Sequence, residues 1–111
     1  MTGALGFSAA VTDTETVLFC AGPMKKALLR APLSAPFIER MRERQTICTS
    51  DGFLLSDVGA PIRMLASVPI LCGGDVLGTV LLASDDVRLR LSETELSILK
   101  TAALYLGKQL E

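Results

Sequence analysis

Residues 64–84 read Met64-Leu65-Ala66-Ser67-Val68-Pro69-Ile70-Leu71-Cys72-Gly73-Gly74-Asp75-Val76-Leu77-Gly78-Thr79-Val80-Leu81-Leu82-Ala83-Ser84. From Met64 to Leu71 the run is apolar apart from Ser67, Gly73-Gly74-Asp75 supplies a turn, and Val76 to Ser84 returns as a second β-branched and aliphatic run. This pattern predicts a long antiparallel hairpin. Its hydrophobicity is nearly continuous rather than alternating, which predicts that both faces of the hairpin are covered, with helices on at least one of them.

Upstream, Phe7 to Thr12 and Val17 to Ala21 are short apolar runs around the polar cluster Asp13-Thr14-Glu15-Thr16, a second β-hairpin. Gly22-Pro23 ends it, because proline donates no ladder hydrogen bond and glycine lets the backbone turn. The period then changes. Lys25 to Arg30 can form one or two helical turns before Pro32, and Ser34 can cap a second helix with Phe37, Ile38 and Met41 on one face. The opposite side, Glu39, Arg40, Arg42, Glu43 and Arg44, reads as a solvated face with i,i+3 pairs such as Glu39 with Arg42. Between Gln45 and Pro61 lie short extended pieces mixed with turn residues.

Downstream, Asp85, Asp86 and Arg88 mark a polar loop, and Ser92 with Glu95 three residues on has the spacing of a reciprocal capping box. A helix from about Glu93 to Gln109 follows. Leu96, Leu99, Ala103, Leu106 and Leu110 recur at spacings of 3, 4, 3 and 4, a heptad-like stripe, with Ile98, Ala102 and Tyr105 as a second ridge beside it. One stripe can cover the sheet, which leaves surface for something else. The stripe Leu96, Leu99, Ala103, Leu106 and Leu110 is the expected interface of a homodimer or higher homo-oligomer built around a two-fold axis, the alternative being a terminal helix sunk between the sheet and the rest of its own chain.

The 111 residues suffice for one domain, and 50% hydrophobic residues provide a core. Eleven basic residues against twelve acidic ones give a net charge of -1, so the chain has no net field to attract nucleic acid or an anionic membrane. There is no histidine, which removes the commonest general base and metal ligand. Cys20, Cys48 and Cys72 are widely spaced without a CxxC, suggesting reduced thiols rather than a disulfide framework or zinc site. The start of the chain lacks the basic n-region of a signal peptide, and no apolar run reaches the roughly 18 residues of a membrane span, so a cytoplasmic location is expected.

Reactive constellations are nearly absent. GxGxxG, GxxxxGK[ST], HExxH and GxSxG do not occur. Asp85-Asp86 sits in the predicted loop, and Glu93 and Glu95 sit in a helix's first turn, where carboxylates complement the dipole. Lys25-Lys26 is a small basic site in reach of an anionic ligand over the sheet, although a solvated pair is the simpler account. Cysteine chemistry is the one catalytic route the composition leaves open, and it needs an activated thiolate with a second thiol in reach.

Strand, strand, helical segment, long hairpin and closing helix is the order of a GAF-type sensor domain. Ala10-Val11-Thr12-Asp13, Ala21-Gly22-Pro23-Met24-Lys25-Lys26, Leu33-Ser34, the helix Phe37 to Arg44, Ala66-Ser67-Val68-Pro69-Ile70 and Asp75 to Leu81 together resemble the family of C-terminal GAF-like domains of stage V sporulation protein T, an AbrB-type transcriptional regulator. The resemblance covers almost the whole chain. It implies a single α/β (α+β) domain over residues 1–111 with a central antiparallel sheet of about five strands and helices packed on it. It further implies a non-catalytic, cytoplasmic module that senses an unidentified small molecule, oligomerises without a cofactor, and meets DNA only through a separate N-terminal domain. That domain is not in this sequence, and the helix expected before the first strand is reduced to the stub Met1 to Leu5, as in an excised fragment or shortened relative.

In a GAF architecture the ligand lies between the sheet and the segment 22–61. Candidate liners there are Phe19, Lys25, Leu28, Leu29, Phe37, Met41, Phe53 and Ser67. Two other functions remain: a cysteine-dependent GAF enzyme of the free methionine sulfoxide reductase type, from whose pattern these cysteines depart, and a pure dimerisation module with a packed interior.

Overall fold

The computed structural model describes residues 7–56, 62–84 and 91–109. Five strands, β1 (Ser8–Thr12), β2 (Val17–Ala21), β3 (Ile47–Ser56), β4 (Ile62–Cys72) and β5 (Asp75–Ala83), form one antiparallel sheet in the order β2-β1-β5-β4-β3. Three helices complete it: α1 (Lys25–Leu28), α2 (Ala35–Arg42) and α3 (Glu93–Gln109). This is the α+β, GAF-like arrangement, with α1 and α2 over one face of the sheet and α3 over the other.

The central hairpin is β4–β5, turning at Gly73 (φ 59°) and Gly74 (φ 89°), left-handed conformations that glycine adopts without a Cβ clash. β5 is the middle strand and pairs with β1 as well as β4. From Met64 to Ile70 every β4 residue is buried, because both faces of the strand are covered, and a register shift between Met64 and Ala66 puts Met64 on the opposite face from Ala66, Val68 and Ile70. Met64, Leu81 and Ala83 join the α1–α2 core, while Ala66, Val68, Ile70 and Val80 join the α3 core. The two-sided burial expected from the unbroken hydrophobicity is therefore present.

The first hairpin turns on Asp13, whose Oδ1 accepts hydrogen bonds from the backbone N–H groups of Glu15 and Thr16, both at 2.7 Å. These bonds, that from Thr16 foremost, hold its carboxyl below the usual aspartate range. Gln45 to Pro61 resolves into the ten-residue edge strand β3 up to Ser56, whose register against β4 shifts between Cys48 and Phe53. Turn residues Ser50-Asp51-Gly52 lie within this irregularity, which masks a strand from any period-based reading. Residues 57–61, the Asp85-Asp86-Arg88 loop, the stub Met1 to Leu5 and Leu110 lie outside the described residues.

One short segment ties both edges of the sheet. Val17 N–H donates to Ala31 O (3.0 Å) and Leu33 N–H to Glu15 O (2.8 Å) on the β2 side, while Ser34 N–H donates to Leu55 O (2.7 Å) on β3. Ser34 also caps α2 as expected, accepting from Phe37 N–H at 3.3 Å and donating to Leu54 O at 2.8 Å. At α3 the cap departs from the reciprocal box. Both the N–H and the hydroxyl of Ser92 donate to Glu95 Oε1, at 2.8 and 2.7 Å, which lowers the Glu95 carboxyl's pKa, the hydroxyl contributing most.

The α3 layer approaches the sheet closely at Gly107. Gly107 is buried on α3, and a Cβ there would run into the carbonyl oxygen of Leu71 on β4. Gly107→Ala should therefore cost about 1–3 kcal/mol in urea denaturation by overpacking, against the usual gain of about 1 kcal/mol for Gly→Ala in a helix. Ser97→Ala, on the exposed face of the same helix, should stay within about 0.5 kcal/mol.

Asp13 supplies a pH-dependent contribution. Because its native pKa is depressed, the stabilisation is complete above the unfolded aspartate value and is lost as pH falls through the lower native one. The urea midpoint should drop between about pH 5 and pH 2 in wild type, and part of that drop should disappear in Asp13→Asn.

Candidate functional site

The eight candidate liners do not converge on one cavity. Leu28 and Phe37 are fully buried, Met41 is 2% exposed, and all three belong to the core between the sheet and the α1–α2 segment. Phe53 packs against that core, with its ring 6.3 Å from Phe37 in an edge-on arrangement and the Arg40 guanidinium 5.5 Å from its centroid. Ser67 is buried on β4 on the same side of the sheet. These side chains occupy the space that the GAF architecture would assign to a ligand.

The other three lie elsewhere. Lys25 and Leu29 are exposed at either end of α1. Phe19 is 69% exposed and stands on β2 opposite Val11, on the α3 side of the sheet. The register irregularity between Val11 and Thr12 sets this facing, and alternation counted from Val17 alone does not reveal it.

The α3 stripe is also placed. Leu99 and Ala103 are buried against Ala66, Val68, Ile70 and Val80, with Leu96 and Leu106 packed on the same cluster. The described part of the stripe thus covers the chain's own sheet, rather than the second copy expected there. The neighbouring ridge stays in solvent: Ile98 is 62% and Tyr105 61% exposed.

Between α3 and the β1–β2 hairpin runs an apolar groove of about 680 Å³. Phe7, just before β1, Ala9 and Val11 on β1 and Phe19 on β2 line one side, and Ile98 and Leu106 line the other. It forms because, among the described residues, α3 packs chiefly on β4 and β5 and stands off the outer hairpin. The Phe19-Ile98 combination is the part of the site that sequence reasoning missed. The exposed second ridge on α3 is the signal that pointed towards it.

The thiols are dispersed. Cys20 is half-buried on β2, its Sγ–H donating to Lys25 O at 3.4 Å, and Cys48 is exposed on β3 at the opposite edge and on the opposite face. Cys72 lies six residues along β4 from the Ala66 that pairs with Cys48, about 20 Å at strand rise. A dithiol reaction needs two sulfurs in contact. Among the described residues no group of three or more metal-ligating side chains comes together, and no helix is long and apolar enough to cross a membrane.

A five-stranded antiparallel sheet with a short helical segment on one face and a terminal helix on the other defines a GAF-like α+β domain. Within that class, the chain belongs to the family of the stage V sporulation protein T C-terminal, transcription factor, whose family model matches residues 1–111. Among curated proteins nothing matches it.

Because Phe37 is core and Phe19 is surface, their truncations should separate. Phe37→Ala should lose about 3–5 kcal/mol of stability. Phe19→Ala should fall within about 0.5 kcal/mol, both read from urea unfolding followed by circular dichroism.

Proposed function

We propose that this domain is the non-catalytic, small-molecule-responsive oligomerisation module of a sporulation-type transcriptional regulator, and that it assembles as a homodimer through the outer face of α3. The observation that carries the reading is the exposure of Ile98 and Tyr105, both above 60%, on a helix whose buried stripe already has its partner. These residues border a shallow recess with Thr94, Ser97, Thr101 and Ala102. A contiguous apolar surface rimmed by threonine, serine and Glu93 suits an isologous contact, in which the same patch serves both partners.

Membership of a transcription-factor family supports a regulatory role. The net charge of -1 supports assigning DNA contact to another domain of the regulator. The separation of the three thiols argues against a dithiol enzyme. A ligand acts in such a module by binding one arrangement better than another and shifting the population.

Tyr105→Asp places a charge in the proposed contact and should shift sedimentation from dimer to monomer while leaving the melting temperature near wild type. Leu99→Asp should instead unfold the chain, because it puts a charge in the core under α3. A wild type that sediments as a monomer at every concentration refutes the assembly.

A further inference from the structure

We infer that the sensed ligand is an uncharged molecule with an apolar body, and that its site is the groove between α3 and the β1–β2 hairpin rather than the space beneath the segment 22–61. This rests on the sensing role proposed above and deepens it. The space beneath the segment is filled by Leu28, Phe37 and Met41. The groove, at about 680 Å³, falls within the roughly 300–1,000 Å³ typical of small-molecule sites.

The chemistry of the lining selects the ligand class. Ala9 and Ala21, paired across β1 and β2, form a low floor, while Phe19, Ile98 and Leu106 form apolar walls. Among the described residues the lining includes no lysine or arginine, and its one carboxylate, Glu95, already accepts two hydrogen bonds from Ser92. An anionic ligand would lose its hydration with no cation to replace it and would face Glu95. An uncharged ligand avoids both costs, and the Thr94 hydroxyl in the lining offers one polar contact.

The site also explains how sensing reaches assembly. Thr94, Ile98 and Ala102 line the groove and border the outer recess of α3 as well. A ligand seated against Ile98 supports from the groove side the side chain that the proposed dimer uses, so binding and dimerisation strengthen each other reciprocally.

The probe is Nile red, an uncharged apolar dye whose emission rises and shifts to the blue in an apolar site. With the Tyr105→Asp variant, whose substituted residue lies outside the groove lining, the dye should bind saturably. 1-Decanol should displace it, and decanoate at pH 7.5 should be at least about ten-fold weaker, because its charge must be desolvated. Ala21→Trp, at an exposed position, and Ala9→Trp should each abolish dye binding while retaining a cooperative melt; Leu29→Ala should bind as Tyr105→Asp does. Decanoate competing as well as decanol, dye binding unchanged in folded Ala21→Trp, or absence of saturable dye binding overturns the site. Loss of the wild-type dye signal in step with dimer formation also overturns it, since a second copy would then occupy the groove. A wild type that binds dye in this pattern but sediments as a monomer supports the groove while removing the assembly reading.

Discussion

The fold depends on how β5 is held. It stands at the centre of the described sheet and its pairing with β1 joins the two hairpins, so β1 and β4 must both reach it at backbone distance. On the β1 side this takes place at Thr12 and Thr79, buried partners in the register. Thr12 Oγ1 donates to Asp13 O at 2.8 Å, so the 2.9 Å contact between the two hydroxyls must have Thr79 as donor. Thr12 Oγ1 also accepts from Thr79 N–H at 3.2 Å, which uses its one proton and both acceptor positions. Beside this knot Gly78 allows contact that a Cβ would prevent, since a side chain there would overlap the Thr12 carbonyl. A polar cluster this complete is tolerated in the interior because each group has a partner.

With β5 held in the middle, both faces of the sheet need cover, and the chain covers them by different means. The α1–α2 face is closed by backbone ties from residues 31–34 to β2 and β3, by the Ser34 cap and by Arg44, which reaches the Gly74 carbonyl in the β4–β5 turn through Nε at 3.0 Å and through Nη2. Its large side chains point inwards and fill the interior. The α3 face relies on one helix laid over two strands, with contact made close by Gly107. One helix is about 10–12 Å wide and two strands span about 5 Å between their axes, so a five-stranded sheet extends beyond its cover. The groove along β1 and β2 follows from that mismatch.

Much of this was legible from residue order alone, for identifiable reasons. The β4–β5 hairpin has a Gly-Gly turn between unbroken apolar runs, the Ser34 cap precedes an apolar i, i+4 pair at Phe37 and Met41, and Glu93 to Gln109 agrees with the observed α3 to the residue. β3 was obscure because its irregular register interrupts alternation with turn residues that lie inside a strand. The facing of Phe19 was obscure for a related reason: the shifted register near Thr12 reverses which side of β2 meets α3. The tie formed by residues 31–34 depends on main-chain groups that every residue carries, so no side-chain pattern announces it.

The α3 stripe shows where periodicity stops being informative. A spacing of 3, 4, 3 and 4 states that one face of a helix is apolar, and the same spacing suits a neighbouring helix or the flat side of a sheet. What separates the two is the size of residues flanking the stripe. A sheet contact at close range needs a glycine where the helix backbone meets a strand carbonyl, and Gly107 meets Leu71 in that way. Position 107 follows Leu106 on the buried side, whereas Ile98 and Tyr105 lie on the exposed side. The bulky, exposed flank and the glycine-bearing, buried flank give the helix a direction: one side commits it to its own sheet, and the other presents an apolar surface that the described residues leave exposed.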